Sequence, residues 1–327
     1  MLKPDAETSA FGREMASREI AEQETLFATA LGFYPHILCR IALPRDKFVG
    51  SEYLKQSGPY NLSIQSPSPF GVPYGIYPRG IMAWIASEVQ LLKNSDKAGP
   101  TLTLGTSLFE FMHKVSGVKT YSGGKTGNIA PFKRALFGLL GSRIFYWSTK
   151  ETQAANLTQF QSIEIASSGT VLWPTRFSTE TQQHIVPSTV TLGPVFYQHL
   201  LDHAVPVDMR ALGALWGSCM AVDIYTWLTH RAFELNITGR RTLTLNWYLL
   251  KLQFGHEKQL MKHFRQSFLA ACRMVEKVYA HMTFKEVEQG ITFVLLRTAV
   301  VLAMPAAAPG SVVRRRILPP KKSQTHL

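Results

Sequence analysis

The four residues Thr101-Leu102-Thr103-Leu104 recur as Thr242-Leu243-Thr244-Leu245. A repeat of this kind constrains a chain more than any single motif, because both copies must satisfy the same local pattern and the same surroundings. Each copy alternates Thr with Leu, the period-two signature of a half-buried strand. A long helix is expected before each strand, over 79–93 and 209–234, and a short apolar helix after it, over 107–115 and 247–254. Gly117 and Gly255 end the short helices, where a positive φ is favoured. A longer helix with a basic side follows each, over 128–142 and 257–278. A two-strand ribbon closes each copy: Ile144 to Trp147 with Leu157 to Ala166, then Tyr279 to Val287 with Ile291 to Leu296. Helix, strand, helix, turn, helix, strand, wing, strand is the order of a winged helix-turn-helix module. The expected fold is α+β, mainly helical, with tandem duplicated winged helix-turn-helix domains and β-ribbon wings.

The repeat sets the domain limits, with the first winged-helix domain over 75–178 and the second over 179–303. Residues 1–74 read as an N-terminal extension and linker, partly disordered. An amphipathic helix fits 8–31, and Gly58, Pro59, Pro67, Pro69, Gly71 and Pro73 give the following stretch a linker composition. Residues 304–327 read as a basic Pro-rich tail, in which prolines alternate with Arg314, Arg315, Arg316, Lys321 and Lys322.

Charge then narrows the partner. The chain holds 35 Lys and Arg against 22 Asp and Glu, a formal net charge of +13, while charged residues make up only 17% of it. The excess comes from missing carboxylates, which favours basic faces on a folded body and an acidic partner such as nucleic acid. A membrane is not the expected partner: the apolar stretch 291–304 is too short to span a bilayer and contains Arg297. Cys39, Cys219 and Cys272 are scattered and odd in number, which fits neither a disulfide framework nor a zinc ribbon. The first residues, rich in Asp and Glu, lack a secretory signal. A soluble protein of the reducing cytoplasm is expected.

Two regions carry the candidate chemistry. From Phe111 to Lys150 there is no Asp or Glu, whereas Lys114, Lys119, Lys125, Lys133, Arg134, Arg143 and Lys150 are all present. This field covers the turn, recognition helix and wing root of the first module, the surfaces that meet a major groove. In the second module Lys258, Lys262 and Arg265 are spaced by four and three, so on a continuous helix they share one face with Gln266 beside them, while Leu260, Phe264, Phe268, Ala271 and Val275 form an apolar back. Lys251 on the preceding helix joins this candidate set. Arg and Lys reach guanine acceptors or phosphates, and Gln can pair with the edge of adenine.

Enzymatic readings find no support in the sequence. Gly123-Gly124-Lys125-Thr126 lacks the glycine a phosphate-binding loop needs five positions earlier, where Lys119 stands. His199 and His203 are four apart, but Leu200 replaces the zincin glutamate. No two histidines are separated by a single residue, which argues against a metal-dependent tyrosine nickase. Trp84, Trp173, Trp216, Trp227 and Trp247 read as core or interface anchors. Asp208, Arg210, Asp223 and Tyr225 read as architectural, with Asp208 placed to cap a helix. No catalytic residue, metal site or cofactor is expected.

Tyr74-Gly75 with Pro78-Arg79, the run from Leu104 to Phe111, Gly123-Gly124, Leu172-Trp173, the run from Pro206 to Leu212, the run from Asp223 to Leu228, and Asn246-Trp247 with Gln253-Phe254-Gly255 occur in an order that resembles the plasmid-encoded RepA-type replication initiators of bacteria. The likeness runs from about Tyr74 to Leu296, and residues 1–70 and 305–327 carry none of its motifs. It implies a sequence-specific DNA-binding initiator that binds repeats in its plasmid's origin, helps open that origin, and recruits a host initiator and the replicative helicase. It also implies two winged-helix domains and leaves room for a homodimer. A transcriptional repressor of the same fold, including one that represses its own promoter, is the alternative, and an origin nickase a more distant one.

Overall fold

The computed structural model describes residues 31–67, 69–105, 108–118, 122, 127–151, 156–172, 187–256 and 258–295. The helix expected over 8–31, the tail 304–327, the Gly-Gly-Lys-Thr run, Trp173 and the side chains of Lys119, Lys125 and Lys150 lie outside the described residues. Twelve strands and nine helices stand among those described. The architecture is mixed α+β, with more helix than strand among the described residues.

The first repeat begins with α2 (Ile76–Leu92), β4 (Thr101–Gly105), α3 (Leu108–Ser116) and α4 (Ile129–Leu140). The second has α7 (Cys219–Ile237), β10 (Thr242–Asn246), α8 (Trp247–Phe254), α9 (Met261–Val278), β11 (Met282–Val287) and β12 (Gly290–Leu295). Each repeated strand starts a three-stranded antiparallel sheet. In the second the order is β10-β12-β11; in the first it is β4-β8-β7, with β7 (Ala166–Thr170) and β8 (Ser188–Leu192). Strand one, returning strand, intervening strand is the order in both. Each sheet also carries a threonine pair between neighbouring strands, though at positions the repeat does not align: the Thr101 and Thr191 hydroxyls meet at 3.0 Å in one, those of Thr244 and Thr292 at 2.9 Å in the other. The leucines point inward, Leu102 and Leu104 fully buried, Leu243 and Leu245 partly.

The ribbon expected as the first wing has a different role. Its strands, β5 (Arg143–Glu151) and β6 (Asn156–Glu164), form a regular hairpin, but β5 pairs with β3 (Tyr60–Gln65) and β3 with β2 (Glu52–Ser57), giving a separate sheet β2-β3-β5-β6. The β5–β6 hairpin therefore lies outside the sheet of β4, which β8 and β7 complete. The limit expected at 178/179 falls inside this sheet. Hydrophobic alternation marks a strand but not its partner, and the partner of β5 lies some 80 positions upstream.

For the same reason residues 31–74 are more than a linker. β1 (Gly32–Tyr34) pairs with β9 (Val205–Val207), and α1 (His36–Arg40) buries Ile37, Leu38 and Cys39. Leu62 and Ile64 of β3 enter the common core. Prolines and glycines here punctuate short elements, and the β2–β3 hairpin turns at Gly58, whose φ is 58°.

Caps fix the remaining joints. Asp208 accepts from the Arg210 N–H at 2.9 Å at the start of α6 (Met209–Ala214), and the buried Tyr225 Oη accepts from the Asp208 N–H at 2.9 Å. Asn246 caps α8 through the Leu249 N–H at 2.8 Å. Gly117 has the expected positive φ of 66°, whereas Gly255 is extended at φ −84°, so the two short helices end differently.

Candidate nucleic-acid interface

α9 is the clearest candidate. Phe264, Phe268, Ala271, Cys272 and Val275 are buried along its back. The rings of Phe264 and Phe268 meet Trp247 edge-on, at 6.4 and 6.2 Å between centroids, and Phe254 lies 5.4 Å from Phe268. Trp227 of α7 then links Phe254 to Phe293 of β12 at 5.3 and 5.7 Å. This aromatic chain fixes α9 against α7, α8 and β12, leaving Lys262, His263, Gln266, Ser267, Ala270, Arg273, Glu276 and Lys277 exposed. At 100° per residue Lys262, Gln266 and Arg273 fall within about 40° of one another. Arg273 was missed by the sequence reading; its position seven residues beyond Gln266 is the signal that would have found it.

Three details of that face differ from expectation. The helix starts at Met261, so Lys258 stands in the turn, its N–H donating to His256 Nδ1 at 3.2 Å, and does not continue the helical face. Leu260 is 67% exposed at the N-cap and takes no part in the apolar back. Arg265 is half-buried, its guanidinium 5.0 Å above the Trp247 ring, which places it at the flank of the front as much as on it. Lys251 is half-buried on α8.

The turn between α8 and α9 is held from the N-terminal hairpin. Lys55 of β2 donates to the Gly255 carbonyl at 2.7 Å, and burial pushes the Lys55 amine down to about 8. Gln253 donates to the Arg40 carbonyl at 3.2 Å. The segment read as linker thus braces the turn between α8 and α9.

In the first repeat α4 buries Phe132, Ala135, Leu136 and Leu139 and exposes Arg134, which donates to the Tyr74 hydroxyl at 3.1 Å, with Lys133 half-buried beside it. The single-sign field of the sequence is partly balanced in space. Lys114 pairs with Glu88 of α2 at 3.0 Å, and Arg143 stands directly opposite Glu164 in the β5–β6 ladder. A carboxylate distant in sequence reaches a place from which local carboxylates are missing.

A second cluster joins residues the sequence treated separately. His36 of α1, His199 and His203 of α5 (Pro194–His203), and His230 of α7 approach with centroids 4.6 to 6.1 Å apart. Burial first, then neighbouring positive groups, holds His36 down to about 2 and His199 to about 4; burial holds His230 to about 4 against the pull of Glu234. Among the described residues no group of three or more His, Cys, Asp or Glu is arranged to hold a metal ion, and no helix is long and apolar enough to cross a membrane.

The family comparison supplies the class, that of plasmid replication initiators. A family model described as plasmid encoded RepA protein matches residues 72–248, more than half of the chain. The chain belongs to that family and is a RepA-type plasmid replication initiator. The match ends before α9, short of the Leu296 limit of the resemblance read from the sequence. No curated protein matches the chain. Two solved structures of domains 2 and 3 of RctB are similar at 10% identity: one with a TM-score of 0.47 over 82% of this chain and 99% of that one, the other with 0.43 over 79% and 95%.

Proposed function

We propose that this initiator binds duplex DNA at repeats in its plasmid's origin through two tandem winged-helix units, α9 and α4 entering successive major grooves on one side of the site. The observation that carries this reading is α9 itself, with Phe264 and Phe268 of its apolar back locked by Trp247 and Phe254 and a front of Lys262, Gln266 and Arg273 that leaves the fold intact if it is turned to DNA. The identical strand order of the β4-β8-β7 and β10-β12-β11 sheets supports the duplication. Phosphate contacts would set the register and the α9 front would read bases. Copies bound side by side would strain adjacent A·T-rich duplex and present a platform for the host initiator and helicase, a role that rests on the family alone. The protein acts in this account without catalysis or cofactor, in the bacterial cytoplasm.

Footprinting on the replicon that encodes the protein tests the proposal. Periodic protection across the origin is expected, with no strand cleavage of supercoiled origin DNA in Mg²⁺. Absence of protected repeats would overturn the binding reading, and cleavage would overturn the non-enzymatic one. Rescue in trans of a plasmid lacking its initiator separates initiation from repression.

A further inference from the structure

α8 turns Trp247, Leu250, Gln253 and Phe254 inward and leaves Tyr248, Leu249 and Leu252 exposed, Tyr248 to 64%. Leu249 and Leu252 line a groove of about 210 Å³ together with Leu245, the buried Trp227 and the β2–β3 turn at Gly58-Pro59. Two guanidiniums enter the same groove and share one carboxylate: Arg40 Nη2 donates to one oxygen of Glu234 at 2.9 Å, and Arg231 Nη1 to the other at 2.7 Å. The Nε–H groups of both arginines are buried and find no acceptor among the described residues. An apolar groove with a positive charge in excess and two donors unmet fits an amphipathic, acidic occupant. Phosphate alone would leave the leucines uncovered.

The chain holds one segment of that description. Residues 1–30 carry six of its 22 Asp and Glu against three of its 35 Lys and Arg, so this segment is acidic where the rest is basic. At 100° per residue Ala16, Ile20 and Phe27 fall within about 40° of one another, with Glu14, Glu19 and Glu22 off that stripe. The tail 304–327 has the wrong sign for two arginines. Reach is sufficient as well. Nine peptide units separate Leu31 from Arg40, so the segment joins the fold at most about 32 Å from that side of the groove. Thirty residues span about 45 Å even as a continuous helix.

We propose that the groove between α8 and the β2–β3 turn seats the chain's own acidic segment, residues 5–30, with its apolar stripe against Leu249 and Leu252 and its glutamates toward Arg40 and Arg231. One consequence rests on the DNA-binding reading: α8 leads directly into the turn before α9, so carboxylates held there repel phosphate and the seated segment competes with DNA. The docking is intramolecular, so it does not depend on protein concentration, and it weakens with salt.

Zero-length carbodiimide cross-linking of the full chain, without DNA and at low salt, tests the seat directly. Lys251 stands one turn from Tyr248 on α8. Amide bonds from Glu14, Glu19, Glu22 or Glu24 to Lys251 are expected within one chain, and far fewer to Lys285 on β11. Leu252→Asp, which sets a carboxylate in the groove, should abolish them with an unchanged melting curve. Arg231→Gln, which leaves Glu234 paired with Arg40, should weaken them several-fold. Cross-links that are absent, that join two chains, that survive both substitutions or that reach Lys285 equally would overturn the seat. The competition is read separately, from origin binding by the full chain with Glu14, Glu19, Glu22 and Glu24 all changed to Gln. Affinity should rise several-fold at low salt, and the gain should vanish at high salt. Unchanged affinity at low salt would overturn the competition. Failure of wild type and variant alike to bind origin DNA would overturn the DNA-binding reading and the competition with it, while the cross-links still decide the seat.

Discussion

Arg79 and Asp223, 144 positions apart, form a two-pronged ion pair in which Nε and Nη2 of Arg79 each donate to a carboxylate oxygen of Asp223 at 2.7 Å. The side chains are 0% and 4% exposed. The remaining guanidinium donors reach the carbonyls of Leu43 at 2.7 Å, Pro44 at 3.2 Å and Gly75 at 2.6 Å. Burial alone would lower the Arg79 pKa, but Asp223 more than offsets it and raises it; burial pushes the Asp223 carboxyl up against the opposing pull of the guanidinium. One side chain thus ties the opening helix of the first repeat to that of the second and to the loop leaving α1.

Asp223→Ala should therefore destabilise the protein by about 3–5 kcal/mol, since it strands a buried charge. Arg79→Lys should also cost stability, because an ammonium cannot reproduce the fork. Denaturant unfolding checks both, and loss of activity without loss of stability in either variant would show that the pair acts outside the architecture.

The histidine cluster makes stability depend on pH. His36, His199 and His230 have depressed folded-state pKa values, so the unfolded chain binds more protons below about pH 6.5 and stability falls as pH drops from there toward 4. Above pH 7 the contribution is fully present and flat. Each histidine kept neutral adds a slope of up to about 1.4 kcal/mol per pH unit. Unfolding measured at pH 7 and pH 5 should show a smaller difference for His36→Gln than for the wild type. An equal difference would remove His36 from the account.

Arg265 over Trp247 gives a separable effect. Removing the cation from the ring should cost about 0.5–2 kcal/mol of stability, whereas Lys262→Ala, at an exposed position, should cost none beyond the spread of surface changes, about 0.5 kcal/mol. Melting of the two variants side by side tests this, and equal melting points would mean that the stack contributes nothing.

The repeat was legible in the sequence because period-two and helical patterns are local, so β4, β10, both short helices and the back of α9 stand close to where the pattern puts them. What was not legible depends on contacts between distant positions. The pairing of β5 with β3, the return of β8 to β4, Glu88 beside Lys114 and the gathering of four histidines leave no local trace. The linker composition of 57–74 misled because short strands joined by tight turns use the same prolines and glycines as a linker. Arg265 shows the limit for a site: its spacing put it on the basic front, and only packing reveals that Trp247 claims part of its charge.

The central claim is that α9 reads the origin, and quantitative binding of the full chain to origin repeats across a salt series tests it most directly. The triple variant Lys262→Ala, Gln266→Ala, Arg273→Ala leaves Phe264, Phe268 and Trp247 untouched and should fold normally. A lost base contact should cost about 1–3 kcal/mol with relaxed preference at one position. Each lost phosphate contact should reduce the salt slope by roughly one. The account predicts near-complete loss of specific binding with a shallower salt dependence. A folded triple variant with wild-type affinity and salt slope would contradict it.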